Sequence, residues 1–229
     1  MPHSSFLWGV ATSAYQIEGA LENDWTDWER RRRLRNPDER CGRGTGHRER
    51  WREDLALISS AGANAYRLSI ERSLVEPEPG FFSDEALAFE RRRVDALVRM
   101  GIEPVVTLHH YTHPLWFWAG GGWESADSVP AFRRYAAMVA DALGPRVRTW
   151  VTLNEPIVFL LGGYLGGLIP PGHRRFAAAA RALERLLAAH VEAAAVVKER
   201  VPGARVGIAH NMLDFAPERQ GSALDRRGG

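Results

Sequence analysis

The chain has 229 residues, enough for one good-sized domain, and its 45% hydrophobic share is that of an ordinary globular protein. A formal net charge of +2 supplies no electrostatic drive towards nucleic acid. Cys41 is the only cysteine, which excludes an intramolecular disulfide and fits a reducing, cytoplasmic location.

The opening "MPHSSFLWGV" lacks the basic and apolar regions of a signal peptide. Its apolar half reads as a first strand, "FLWGVAT". The chain then repeats one grammar four times: a helix ending at Gly, an apolar strand, and polar residues at the strand's far end. In "DLALISSAGANAYRLSIE" the helix ends at Gly62, a strand spans 65–70, and Glu71 follows. In "VDALVRMGIEPVVTLHHY" Gly101 precedes a strand over 104–108, then His109 and His110. In "YAAMVADALGPRVRTWVTLNEP" Gly144 precedes a strand over 148–153, then Asn154 and Glu155. In "VVKERVPGARVGIAHNM" Gly203 precedes a strand over 205–209, then His210 and Asn211. Each Gly suits a left-handed helix cap. In "AFRRYAAMVADAL", Phe132, Tyr135, Ala136, Val139 and Leu143 share one helical face.

The strands are nearly continuous apolar runs, as in a parallel sheet covered on both sides. The Ala-rich segment 176–197 is broken by Arg181, Glu184, Arg185, His190 and Glu192 and reads as an amphipathic helix. No apolar run reaches the roughly 18 residues that would span a membrane, so no membrane partner is expected. Lys198 is the only lysine, and the Arg runs 30–33 and 91–93 read as solvated faces.

Alternating β and α elements have two common solutions, a doubly wound sheet and a (β/α)8 barrel. No Gly-rich phosphate fingerprint follows any strand, which argues against a dinucleotide fold. Polar residues at the ends of several strands fit the barrel. The expectation is an α/β fold: a partial (β/α)8 TIM barrel, about the first five βα units, as a single domain over 1–229.

Glu155 is the sharpest chemical signal. A Glu at a barrel rim can protonate a leaving oxygen if its pKa is raised. A lone Glu is more often a salt-bridge partner, and here the surrounding blocks decide. "FLWGVATSAYQIEGA", "AYRLSI", "GIEPVVTLHHYTHP", "GGWES", "WVTLNEP" and "GGYLGGLIPPG" occur in order. Together they resemble glycoside hydrolase family 1, the retaining β-glucosidases and β-galactosidases, over the N-terminal part of the family's usual length.

The resemblance implies roles for particular residues. Glu155 in "NEP" matches the general acid/base, and Asn154 the residue that holds the sugar's 2-hydroxyl. Gln16 and His110 match hydrogen-bonding residues of the subsite for the cleaved sugar. Arg67 matches a buried Arg that supports the nucleophile. A sugar pocket also needs aromatic planes. Tyr111 is placed among the substrate-binding residues, and Trp8, Tyr15, Trp116, Trp118 and Trp123 are near the same blocks, about half of them expected in the core. His109 and His113 are weaker candidates. The expected substrate is a small β-glycoside or oligosaccharide; no metal or other cofactor is expected.

Two features depart from the family. In "SIERSLVEP", Arg72 stands where a Trp is expected and Leu74 where an Arg is. The family's nucleophile, a Glu in a "TENG"-like block on a late strand, has no counterpart here. Retaining hydrolysis needs two carboxylates about 5 to 5.5 Å apart, so this chain alone is expected to have little activity. A complementary C-terminal half or a second copy would be its partner. The alternatives are a non-catalytic sugar-binding or scaffolding half-barrel that oligomerises, and an inverting hydrolase using Glu18 or Glu124 as base.

Overall fold

The computed structural model describes residues 6–31 and 40–212. Arg32, Arg33 and the final "DRRGG" lie outside the described residues. Five strands, β1 (Gly9–Ala11), β2 (Ala65–Ser69), β3 (Glu103–His109), β4 (Thr149–Asn154) and β5 (Arg205–Ala209), form one sheet in that order. Every neighbouring pair is parallel. The helices are α1 (Ala14–Ile17), α2 (Asp24–Arg31), α3 (His47–Ser60), α4 (Arg72–Val75), α5 (Asp84–Arg99), α6 (Leu115–Ala119), α7 (Ser128–Leu143), α8 (Pro156–Leu160) and α9 (Phe176–Arg200). The long helices α3, α5, α7 and α9 are the crossovers that lead into β2 to β5, giving a partial α/β barrel. The opening strand is shorter than its apolar run, because only Gly9, Val10 and Ala11 find partners on β2.

The helices form where propensity, caps and periodicity agree. Ser83 caps α5 by accepting from the Ala86 N–H at 3.2 Å, with Asp84 and Glu85 in the first turn facing the positive end of the helix dipole. The predicted inner face of α7 is buried in full: Phe132, Tyr135, Ala136, Val139 and Leu143 are each at most 1% exposed. α7 packs against α9 and α5, and Tyr135 on that face donates to the Leu108 carbonyl of β3 at 3.1 Å. Gly62, Gly101 and Gly203 adopt left-handed conformations, with φ of 77°, 73° and 83°. Gly144 differs, at φ 42° and ψ −132°. Pro145 follows it, and a residue before proline is steered out of helical conformations.

One surface expectation fails. Arg91 and Arg92 are exposed, but Arg93 is buried. On α5, position 93 lies three residues from Glu90 and four from Leu97, on the inner face. Its guanidinium is 2.8 Å from Glu18 Oε1 and also bonds to Glu90. A run of like residues in sequence is thus split by helical periodicity into solvated and buried members. The sheet's two margins, β1 and β5, are partly exposed, and apolar Trp8 beside β1 is 68% exposed.

Candidate active site

The polar residues that follow each strand gather at one end of the sheet. Parallel register makes this unavoidable: all carboxyl ends point the same way. β4 delivers Asn154 as its last residue and Glu155 just beyond. Glu155 then precedes Pro156 at the first position of α8, so the chain must turn sharply there. It does so with Glu155 in the left-handed region, at φ 44° and ψ 58°. Its amide still donates to the Ala209 carbonyl at 2.7 Å, which ties the turn to β5. Tyr111, past the end of β3, is also left-handed, at φ 73°. Such conformations cost a non-glycine residue about 1 kcal/mol or more, and cluster at functional sites.

These two residues meet. The Tyr111 hydroxyl donates to Glu155 Oε2 at 2.7 Å. The Asn154 amide is 3.4 Å from the same oxygen, and the Asn211 amide 3.4 Å from Oε1. These donors favour the ionised carboxylate. Chiefly through Tyr111, and against the opposing effect of burial, they hold the Glu155 pKa below that of an ordinary Glu. Among the described residues no carboxylate is a main influence on its ionisation.

Arg67 reaches across from β2. Its Nε donates to Thr107 Oγ1 at 3.0 Å, and its Nη2 donates to Asn154 Oδ1. That second bond turns the Asn154 amide nitrogen towards Glu155. Burial lowers the Arg67 pKa while the nearby Glu155 charge opposes the fall. His110 faces the same two charges. Burial, with Arg67, lowers its pKa to about 4, so it is neutral near pH 7. Its Nδ1 is buried without a hydrogen-bond partner. Five predicted residues, Arg67, His110, Tyr111, Asn154 and Glu155, therefore form one group. Gln16 is exposed on α1, just past the end of β1, and its Oε1 accepts from Ser13 Oγ at 2.7 Å. Asn211 joins the group although the sequence marked it only as a residue after the last strand.

Beneath this group lies a buried network. The Trp123 indole N–H donates to His113 Nε2 at 2.7 Å, so that nitrogen carries no proton. His113 then donates through Nδ1 to Asp24 Oδ2, 3.0 Å away. His109 Nε2 is 2.9 Å from His113 Nε2 and must be the donor in that contact. Both imidazoles are neutral, and burial lowers both pKa values well below the ordinary range. Trp118 also donates to Asp24, at 2.6 Å. His109, His113 and Trp123 thus belong to the core. Tyr15 bonds to Glu29 and packs against Trp25, with ring centroids 5.2 Å apart.

The other candidate carboxylates are engaged elsewhere. Glu18 is buried against Arg93. Glu124 pairs with Arg175 at 3.0 Å and Arg181 at 2.6 Å. Arg72, the departure noted in the sequence, is buried with its guanidinium 2.7 Å from Glu76 and 5.0 Å from the Trp116 ring centre. Leu74, the second departure, is partly buried against the core. Among the described residues no group of three or more His, Cys, Asp or Glu could hold a metal ion. Nor is any described helix long and apolar enough to cross a membrane.

Known proteins resemble this chain in sequence and in fold. The sequence profile of Glycosyl hydrolase family 1 matches residues 2–226. Beta-glucosidase A of Thermotoga maritima is 36% identical over 219 residues, 93% of this chain and 49% of the relative. Beta-glucosidase of Agrobacterium sp. is 36% identical over 230 residues, 95% of this chain and 49% of the relative. The solved Thermotoga maritima beta-glucosidase in complex with deoxynojirimycin superposes with a TM-score of 0.89 at 35% identity, covering 98% of this chain and 52% of that one. The chain spans about half the length of these relatives. It belongs to glycosyl hydrolase family 1.

Proposed function

We propose that this chain carries the acid/base half of a retaining β-glycosidase site, acting on terminal β-linked sugars such as glucosides. The observation that supports this best is the group around Glu155: a carboxylate at the end of β4, bonded by Tyr111, Asn154 and Asn211. In this role protonated Glu155 gives its proton to the glycosidic oxygen as the bond from C1 to that oxygen breaks. It later takes a proton from the water that attacks C1 and releases the sugar from the nucleophile. Asn154 and His110 offer amide and imidazole groups for sugar hydroxyls. Arg67 holds the Asn154 side chain in place.

Retention also requires a second carboxylate about 5 to 5.5 Å away. The candidate carboxylates Glu18 and Glu124 are held by arginines, and the nucleophile is assigned to polypeptide beyond the described residues. The lowered pKa of Glu155 fits this division. Alone it is poised as a base, and a neighbouring negative charge would push it up towards an acid. The test is hydrolysis of an aryl β-glucoside by the purified chain and by Glu155→Gln. Each is assayed alone and with a polypeptide matching the other half of the Thermotoga maritima enzyme. Little turnover alone, and turnover with the second half that Glu155→Gln lowers, is expected. Ordinary rates from the chain alone, with net retention, would overturn the division.

A second reading draws on the exposed margins of the sheet: a non-catalytic half-barrel that binds sugar and closes on another copy. A concentration-dependent dimer that binds glucose without hydrolysing β-glucosides would favour it.

A further inference from the structure

We infer that Tyr111 is a positioning residue for Glu155, occupying Oε2 so that Oε1 is left as the oxygen for proton transfer. This rests on the acid/base role proposed above and adds which oxygen acts and what fixes it.

The two carboxylate oxygens are not equivalent. Oε2 accepts a hydrogen bond of 2.7 Å from the Tyr111 hydroxyl and a longer contact from Asn154. Among the described residues Oε1 has only the Asn211 amide, at 3.4 Å, on a residue that is itself exposed. A contact of that length is weak. Oε1 is therefore the oxygen that a glycosidic oxygen or a water can reach without breaking a strong bond.

Tyr111 is built to hold its place. Its ring stacks on Phe159, with centroids 5.9 Å apart and planes 23° from parallel. Phe159 is fully buried on α8, the helix that Glu155 begins. The same short helix thus carries the acid/base at one end and the platform for its hydroxyl partner one turn later. The other side of Tyr111 meets the edge of His110, with centroids 5.5 Å apart. The Tyr111 carbonyl accepts from the Trp25 indole at 3.4 Å, which helps fix the left-handed backbone. A residue that only covered the pocket with its ring would need neither the strained backbone nor a hydroxyl aimed at the carboxylate. The charged and titratable groups facing Glu155 are Tyr111 and His110 from the end of β3 and Arg67 from β2. Asn154 and Asn211 are its neutral neighbours. His110 is neutral near pH 7, so Tyr111 is the neighbour whose removal should change the Glu155 titration most.

The test uses the whole chain labelled with carbon-13 at the Glu side-chain carboxyl, with Glu155→Gln to assign the resonance. Tyr111→Phe keeps the ring and its stack but removes the donor. The Glu155 midpoint is expected to move up, towards that of an ordinary Glu, while Asn211→Ala moves it less. Tyr111→Phe with an unmoved midpoint and an intact circular dichroism spectrum overturns the inference. If Tyr111→Phe does not fold, the wild-type chain is grown with 3-fluorotyrosine, a more acidic donor. Of the five tyrosines only Tyr111 bonds to Glu155. The midpoint should then move further down, and no movement overturns the inference. Hydrolysis plays no part in either measurement. A second half that fails to restore hydrolysis would count against the acid/base role yet leave the shift standing, whereas an unmoved midpoint sinks the positioning role alone.

Discussion

Arg72→Met is the most informative perturbation of the core. Arg72 and Glu76 form a pair whose side chains are 4% and 0% exposed, with Nη2 2.7 Å and Nε 2.8 Å from Glu76 Oε2. The guanidinium carbon is also 5.0 Å from the Trp116 ring centre and 5.2 Å from those of Phe117 and Tyr135. Arg72 Nη1 is buried without a hydrogen-bond partner, so the site does not fully satisfy its cation. Met fills much of the same volume and can sit against the rings through its sulfur. The dominant loss is therefore the charge partner of a buried carboxylate, which costs about 3–5 kcal/mol. For a chain of this size that lowers the midpoint of thermal unfolding by about 10 °C. Adding Glu76→Gln removes the stranded charge and keeps an acceptor for the Gly80 N–H, now 3.1 Å from Glu76 Oε1. The double variant should recover more than half of the loss. Urea unfolding at pH 7 of wild type, both single variants and the double closes the cycle. A loss within about 1 kcal/mol for Arg72→Met, the range of an exposed pair, would refute the argument. So would a double variant no more stable than Arg72→Met.

Burial pushes Asp24, Glu71 and Glu90 each up to about 7. A raised carboxyl binds more protons folded than unfolded. Its contribution to stability is complete below the unfolded pKa, near 4, and is lost as pH rises towards 7. Glu71→Gln keeps a carbonyl oxygen for Ser73 and presents an amide N–H to the Thr112 hydroxyl, which can turn to accept it; it should flatten the decline in urea midpoint between pH 4.5 and 7, and an unchanged slope counts against the assignment. At Gly163 an added Cβ would lie 2.5 Å from the Pro170 carbonyl oxygen. Gly163→Ala should therefore cost about 1–3 kcal/mol, and an unchanged thermal midpoint would show that the two segments are not so close. In an assembly restored to activity, Glu155→Gln should slow alkyl β-glucosides by about 10²- to 10⁴-fold. It should lower kcat/KM for 2,4-dinitrophenyl β-glucoside far less, because that leaving group departs without a proton. Equal losses in kcat/KM for the two substrates would remove the acid role.

The order of elements was legible in the sequence because each layer of the fold leaves a periodic trace. Apolar runs closed by polar pairs marked the strands, the α7 pattern marked its buried face, and glycine marked most helix ends. Parallel strands place all their carboxyl ends together, so the polar residues after each strand were bound to gather. That is how His110, Asn154 and Glu155 could be placed at strand ends before their geometry was known; Arg67 and Tyr111, and the roles of all five, came from the resemblance of their sequence blocks to glycoside hydrolase family 1.

What periodicity records is the face on which a residue stands, and not what stands opposite. Arg93 looks like the end of a basic run until α5 turns it towards Glu18, some 75 residues away. Asn211 looks like a loop residue until β5 brings it beside Glu155. The ionisation of Glu155 depends on Tyr111, 44 positions earlier. The sequence alone determined which side chains could do chemistry and at which end of the sheet they would meet. Only the tertiary structure decided which oxygen each donor reaches and which charges are buried in pairs, because those depend on contacts of a few ångströms between segments far apart in the chain.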